Sequence, residues 1–580
     1  MLKATEPAST GRAAATRLLT DTLPPRLALM AMIAVLTLPL LFGMLGVILP
    51  AFGYFPALGG HEVGLAHFSD LAAVPGLARS ALLSLFSGLG ATSLSVLTVV
   101  LFLAAFAGTP VLRRVQHFLS PLLAIPHAAA AFGIAFLFAP SGFLIRLVAP
   151  VLGIDRPPDL LIPHDPLGLA LVAGLVIKEI PFLFLVALAA LPQVNLSATR
   201  QLAASLGYGR IAGFLFLLWP GIYRQIRFAV YAVVAYSSSV VDVAVILGPT
   251  MPGTLATRLL EWMSDPDLAA RFRASAGALL QFGVTIVALL LWHATERVGR
   301  VALIAARDRG ARCRRDRGLR WFAAGTVLCA SAIVFGGIAV LALWSVAGLW
   351  QYPEVTPSSY TLKTWIDVLP RTVGPLWTTV TVGLAAALIA LLLTVGCLER
   401  ETQGGKKAGG WAPFLLYLPL IVPQITFVFG LQLLFLASGT TYRLSALVLV
   451  HLVFALPYVF LSLSDPWRAL DTRYDSIATA LGRSRLASLL VVRLPMLTRA
   501  ILTAAAVGFA VSVGQYLPTV LIGEGRLATI TTEAVALASG GNRRLIGIYA
   551  LLQATLPFVA FLLASLVPAL LFRNRRAMRV

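Results

Sequence analysis

Two stretches decide how this chain is read: QLAASLGYGRIAGFLFLLWP, Gln201 to Pro220, and SIATALGRSRLASLLVVRLP, Ser476 to Pro495. Seven of the twenty aligned positions are identical, where roughly two are expected by chance in so biased a composition. Gly207 and Pro220 stand thirteen residues apart, and so do Gly482 and Pro495. Other landmarks recur in the same order around each copy. A proline precedes each (Pro181, Pro457), and earlier still come Pro126 with Phe132-Gly133 and Pro423 with Phe429-Gly430. An LAT triplet follows, at Leu255 to Thr257 and Leu527 to Thr529. A set in this order predicts an internal duplication with a period near half the chain.

Composition says where such a repeat lives. Of 580 residues, 59% are hydrophobic and 12% charged, and the mean hydropathy of +0.89 lies outside the water-soluble range. Twelve segments are long enough to cross about 30 Å of hydrocarbon. They are 27–51, 81–110, 117–140, 167–191, 226–248, 275–296, 321–349, 373–397, 413–437, 444–464, 500–522 and 546–572. The apolar stretch from Phe143 contains Arg146 and Pro150 and reads as interfacial. The expected fold class is therefore an all-α polytopic membrane protein of two homologous six-helix halves, 1–296 and 321–580. A basic linker, 297–320, joins them, and the repeated loops lie in 192–225 and 465–499.

The net charge of +21 is spread between apolar segments, a pattern that speaks for membrane orientation and against nucleic-acid binding. Lys and Arg number 32 in the termini and the loops on their side, against 12 in the opposite loops, which predicts cytoplasmic N- and C-termini. The first 26 residues carry four basic residues and no small-residue cleavage site, so the first apolar stretch is expected to be retained. Cys313, Cys329 and Cys397 stand far apart and suggest neither disulfides nor a metal site.

Each repeated loop opens with a short helix-forming stretch that Gly207 or Gly482 ends, since glycine past a helix end adopts the left-handed turn. Ile211, Phe214, Leu215 and Leu218 then form an apolar stripe at helical spacing, read as a face that docks into a partner's groove. These residues resemble the inner-membrane components of binding-protein-dependent ABC importers, whose loop reads Glu-Ala-Ala, three residues, Gly, and Pro thirteen later. The resemblance spans nearly the whole chain and is greatest to the fused ferric-iron, thiamine and YnjC-type permeases. It implies that Gln201, Ala203, Gly207 and Pro220, with Ser476, Ala478, Gly482 and Pro495, belong to two coupling helices that seat ATPase subunits. The chain departs from the pattern at Gln201 and Ser476, where the family has Glu. The implied partners are two ABC ATPase subunits and a periplasmic solute-binding protein, the latter facing 52–78, 249–274 and 523–545. The implied location is the bacterial inner membrane.

No GxxxxGK[ST] motif occurs, and GGKKAGG from Gly404 lacks its spacing, so no cofactor is expected on this chain. ATP and Mg²⁺ would bind the partner ATPase. No catalytic or metal-binding constellation is found. Candidate translocation-pathway residues are Lys178 and Glu179, near mid-bilayer beside Pro181, with Ser238, Asp242, Ser512 and Gln515 in spans five and eleven. His127 and Gln424 follow matched prolines, where a lone histidine more often packs than binds. The rival reading is a proton-coupled secondary transporter of the major facilitator type. It shares the two six-span halves but has no reason to duplicate the loop after span four.

Overall fold

The computed structural model describes residues 9–404, 411–439 and 444–573. Lys3, Lys406, Lys407, Arg443 and the arginines past Arg573, which entered the charge count, lie outside the described residues, as does most of GGKKAGG. The first half consists of α1 (Ser9–Ala51), α2 (Leu77–Phe106), α3 (His127–Phe138), α4 (Leu169–Ala190), α5 (Leu196–Ser205), α6 (Trp219–Ser239) and α7 (Ala270–Asp308). The second repeats it with α8 (Arg317–Val346), α9 (Lys363–Gly404), α10 (Gln424–Ala437), α11 (Leu444–Ala469), α12 (Arg473–Ala480), α13 (Thr498–Val513) and α14 (Arg543–Leu571). Each helix thus has its counterpart seven labels later. Among the described residues β-structure is limited to isolated bridges.

The duplication is visible in the packing. In each half the second helix runs against the fourth and sixth: α2 on α4 and α6, and α9 on α11 and α13. The first helix does something different. α1 crosses to the second half and lies along α10 and α9, while α8 crosses to the first half and lies along α3 and α2. Glycines make both crossings possible. A Cβ at Gly430 would fall on the Gly43 carbonyl, and one at Gly43 on the carbonyl of Phe427. At the other crossing, Gly133 and Gly337 face each other so closely that a Cβ on either would lie 2.9 Å from the other's Cα. Phe132-Gly133 and Phe429-Gly430, matched in sequence only as landmarks, are therefore the points where the opposite half's first helix is received.

Nine helices among the described residues are long and apolar enough to cross a membrane. Two bent pairs, Ala412–Ile421 with Gln424–Ala437 at 82° and Arg485–Met496 with Thr498–Val513 at 79°, would each add one. The twelve uniform spans expected are not all found, and the fifth span of each half, α6 and α13, explains part of the difference. α6 carries Arg224, Gln225 and Arg227 at one end, and the chain breaks at Val240–Val241 before a separate helix, Asp242–Leu247. Likewise α13 stops at Val513, and Leu517–Gly523 is a new helix.

Other boundaries also move. Pro121 and Pro126 separate Pro110–Leu119 from α3, so the third span begins at His127, not at 117. The segment Phe143–Leu152 continues this span and is not a separate interfacial piece. The linker 297–320 is largely helical, because α7 runs on to Asp308 and α8 begins at Arg317.

After each break the chain forms a short helix docked on the second helix of its own half. The N–H of Leu255 donates to Ser84 Oγ at 3.0 Å, and that of Ile530 to Thr379 Oγ1 at 2.9 Å. The N-caps are Thr254 and Thr529. The two LAT triplets are therefore not structural equivalents, since the first follows its cap and the second contains it.

Gly430→Leu is expected to abolish the α1–α10 crossing, because the clash is with backbone and overpacking costs at least about 1–3 kcal/mol. Size-exclusion chromatography and thermal unfolding in mild detergent should show aggregation or a lowered midpoint. Gly283→Ala, within α7 where a Cβ meets nothing within 4 Å, should leave the elution profile monodisperse.

Candidate functional site: two matched loops and an interfacial chamber

The two repeated loops share one backbone. Asn195 caps α5 by accepting the Ala198 N–H at 3.2 Å. Gly207 (φ 73°) and Gly482 (φ 77°) end α5 and α12 in the left-handed region. The next N–H turns back onto the same alanine carbonyl in both copies, Tyr208 to Ala203 and Arg483 to Ala478, each at 3.0 Å. Ala203 and Ala478 are buried, and Gln201 and Ser476 are exposed. One helical turn follows, then a π turn, Phe214–Leu218 in one copy and Leu489–Arg493 in the other. Pro220 and Pro495 come directly afterwards. A proline clashes with the carbonyl four residues back, and the wider π turn makes room for it.

Of the stripe Ile211, Phe214, Leu215 and Leu218, three are buried and Leu215 is half-buried against the same core, so it is not the face offered to a partner. That face belongs to the short helices. Leu202 and Leu206 are 52% and 49% exposed, and their counterparts Ile477 and Leu481 are 57% and 77% exposed.

The loops are anchored differently. The inter-half linker straps the first: Gly209 N–H donates to the Arg312 carbonyl at 2.7 Å, Ile211 N–H to Asp316 at 3.0 Å, and Arg314 to the Gly207 carbonyl at 3.1 Å. Arg200 and Arg210 both donate to the Ala107 carbonyl at the end of α2. In the second loop the buried Arg493 pairs with Asp475 and with Glu399 (3.3 Å), donates to Thr402 at 3.0 Å, and lies over Trp467. Leu218 occupies its place in the first half.

The second feature lies where the halves meet. Phe182 and Tyr458 directly follow the matched Pro181 and Pro457, and their rings meet edge-on from α4 and α11 at 6.4 Å. His127, at the head of α3, lies 3.4 Å from Glu179 Oε1 and packs on the ring of Tyr236 at 5.0 Å. Asp242 stands at the break after α6, within electrostatic reach of His127, Tyr236 and Tyr516. Tyr417 stacks on Phe228 at 5.7 Å across the halves.

The structure thus divides the residues expected to line a pathway. Glu179 and Asp242 lie on either side of Tyr236, both within its electrostatic reach. Lys178 is buried but turns away, donating to the Leu122 carbonyl at 2.7 Å. Ser238 bonds Ala235 and Thr285 and fits against Gly88; Ser512 bonds His451 at 2.7 Å close to Gly383. Both serines belong to helix packing. Gln515 lies in the α13 break beside Tyr516. His127, expected to pack, is instead Glu179's partner, whereas His451 is the packing histidine. Tyr236, Tyr417 and Tyr458 went unnoticed in the sequence. Only Tyr458 carried a signal, its position after a repeat-matched proline.

Arg493→Met leaves Asp475 and Glu399 without their partner, and breaking a buried ion pair costs about 3–5 kcal/mol. Its thermal midpoint should fall well below that of Asp316→Ala, which removes one acceptor worth about 1–3 kcal/mol. Scanning fluorimetry of the two variants tests this order.

Over 544 residues the chain is 33% identical to the inner membrane ABC transporter permease protein YnjC of Escherichia coli, covering 93% of this chain and 95% of that one. It is 27% identical to the thiamine transport system permease protein ThiP of the same organism, over 70% and 73% of the two chains. A putative 2-aminoethylphosphonate transport system permease protein, PhnV of Salmonella paratyphi A, is 28% identical; 84% of it matches 38% of this chain, as a single-length permease would match one half. No established protein-family profile matches the chain. These relatives support no facilitator-type alternative. The chain belongs to the ABC transporter permeases, and is the double-length membrane subunit of a binding-protein-dependent ABC importer.

Proposed function

We propose that α5 and α12 are the seats of two ATPase subunits and that the chamber between the halves is part of the solute path. The observation that carries the first point is the matched pair of loops: the same glycine turn, the same back-bond, the same π turn, and in each an exposed apolar pair on a short helix. A two-fold partner such as an ATPase dimer fits a two-fold platform. Gly207 and Gly482, Ala203 and Ala478, and Pro220 and Pro495 shape the seat. Leu202, Leu206, Ile477 and Leu481 supply its contact surface, and the exposed Gln201 and Ser476 lie beside them.

On this reading the chain performs no covalent chemistry. ATP and Mg²⁺ are held by the partner subunits, and a periplasmic binding protein delivers solute from the other side of the membrane. The loops face the cytoplasm with both termini, as the distribution of basic residues requires.

Co-expression with the importer's ATPase and native mass spectrometry test the seats. The wild type should carry two ATPase copies. Leu206→Arg and Leu481→Arg should each carry one and the double variant none, while all elute as folded protein. A wild type that binds no ATPase overturns the assignment. Orientation is read separately: a C-terminal green fluorescent protein should fluoresce and a C-terminal alkaline phosphatase should be inactive.

A further inference from the structure

We propose that the solute this permease passes is an organic cation, an amine or quaternary ammonium group, recognised at the junction of the halves by Glu179, Asp242 and a ring of tyrosines. The inference rests on the chamber being part of the solute path. Two independent sets of observations support it.

The first is buried negative charge that its neighbours compensate only in part. Glu179 and Asp242 are 4% and 8% exposed. A carboxylate at such depth needs a partner, because an unpaired charge inside a membrane protein costs several kcal/mol. Lys178, the adjacent cation, donates to the Leu122 carbonyl and acts on Glu179 only through space, with no ion pair between them. His127 contacts only one oxygen of Glu179, at 3.4 Å, and Glu179 Oε2 has no hydrogen bond among the described residues. Asp242 has the backbone N–H groups at the start of its own short helix and, through space, His127, but no ion pair. Facing these groups, Tyr236 lies within reach of both carboxylates, Tyr458 of Glu179 and Tyr516 of Asp242.

The second is the state of the tyrosines. Tyr236, Tyr417, Tyr458 and Tyr516 lie deep in the bundle, yet each keeps partial exposure. None of their hydroxyls has a hydrogen-bond partner among the described residues, and none is among the buried atoms lacking one. They therefore border open space between the halves. Aromatic faces beside carboxylates attract a positive group through ring quadrupole and Coulomb terms together.

A bare metal ion fits less well: among the described residues no three His, Cys, Asp or Glu side chains come together to ligate one. The counterparts of His127 and Glu179 in the second half are Gln424 and Ala455, so the negative charge lies on one side and the aromatic wall of the second half on the other.

The test uses the ATPase-bound complex in nanodiscs, titrated with tetraethylammonium, sodium methanesulfonate or glucose at constant ionic strength, with thermal unfolding as readout. A ligand that binds only the folded state raises the midpoint saturably. Tetraethylammonium alone should do so. The half-saturating concentration should rise about tenfold or more in Glu179→Gln and in Asp242→Asn, and in Tyr236→Leu more than in Tyr236→Phe. Variants are compared only where the ligand-free midpoint matches wild type, and tetraethylammonium quenching of intrinsic fluorescence gives a second binding curve. A response to methanesulfonate or glucose instead, or tetraethylammonium binding that the variants leave unchanged, overturns the proposal. Failure of the ATPase complex to form counts against the seats, and the titration is then run on the permease alone.

Discussion

The structure depends on two places where backbones touch. In lipid, helices gain little by hiding apolar surface from one another, so association rests on close approach and local polar contacts. Gly43 against Phe427 and Gly430, and Gly133 against Gly337, give that approach, and each pair joins the first helix of one half to the third of the other. Neither half is complete without the other's leading helix. Fusing them in one chain keeps the exchange intramolecular, and it also fixes where the linker runs. Because α8 packs on the first half, the chain feeding it from α7 passes beneath that half and meets the loop after α5. The strap formed by Arg312, Arg314 and Asp316 is a consequence of the crossing. The second loop has no such segment beside it among the described residues, and Arg493 with Asp475 and Glu399 holds it instead.

The same logic separates symmetric from asymmetric parts. What a two-fold partner must meet is kept alike in both copies: the Gly turns, the back-bonds to Ala203 and Ala478, the π turns and the exposed apolar pairs. What lies inside is free to diverge. Glu179 faces Ala455's position and His127 faces Gln424's, so two frames with one backbone enclose a chamber whose charge lies on one wall.

Much of this was legible in the sequence, and the reasons for the rest are physical. Repeats show through spacing, so Gly207 with Pro220 and Gly482 with Pro495 disclosed the duplication, the loop and the family. The Phe-Gly pairs were visible, but their purpose was not, because a glycine's neighbour across a helix crossing leaves no trace in local pattern. Helical periodicity marked Ile211, Phe214 and Leu218 as one face without saying whether that face meets a partner or the protein's own core. The broken fifth helices were hidden because Val240 and Val241 are as apolar as any membrane segment. Ser238 and Asp242 are four residues apart, yet one packs and the other faces the chamber, since the break between them resets the helical phase.

That break also joins the two functional regions. α6 follows the π turn of the first loop and spans 21 residues, about 30 Å at 1.5 Å per residue, ending three residues before Asp242. α13 likewise rises from the end of the second loop, past Pro495, to the break holding Gln515 and Tyr516. In the first half a loop stiffened by a back-bonded glycine turn at one end, a continuous helix between, and an unwound segment before Asp242 at the other form a lever. In the second half the corresponding path is jointed, because the chain turns by 79° at Leu497 between Met496 and Thr498. Unequal anchors then give unequal levers: the first is tied through the strap to α7 and α8, and hence to the crossing, whereas the second is tied through Glu399 and Thr402 to α9 within its own half. The two loops are thus connected to the rest of the bundle through different neighbours, and the half that carries Glu179 and Asp242 is the one linked to the inter-half crossing.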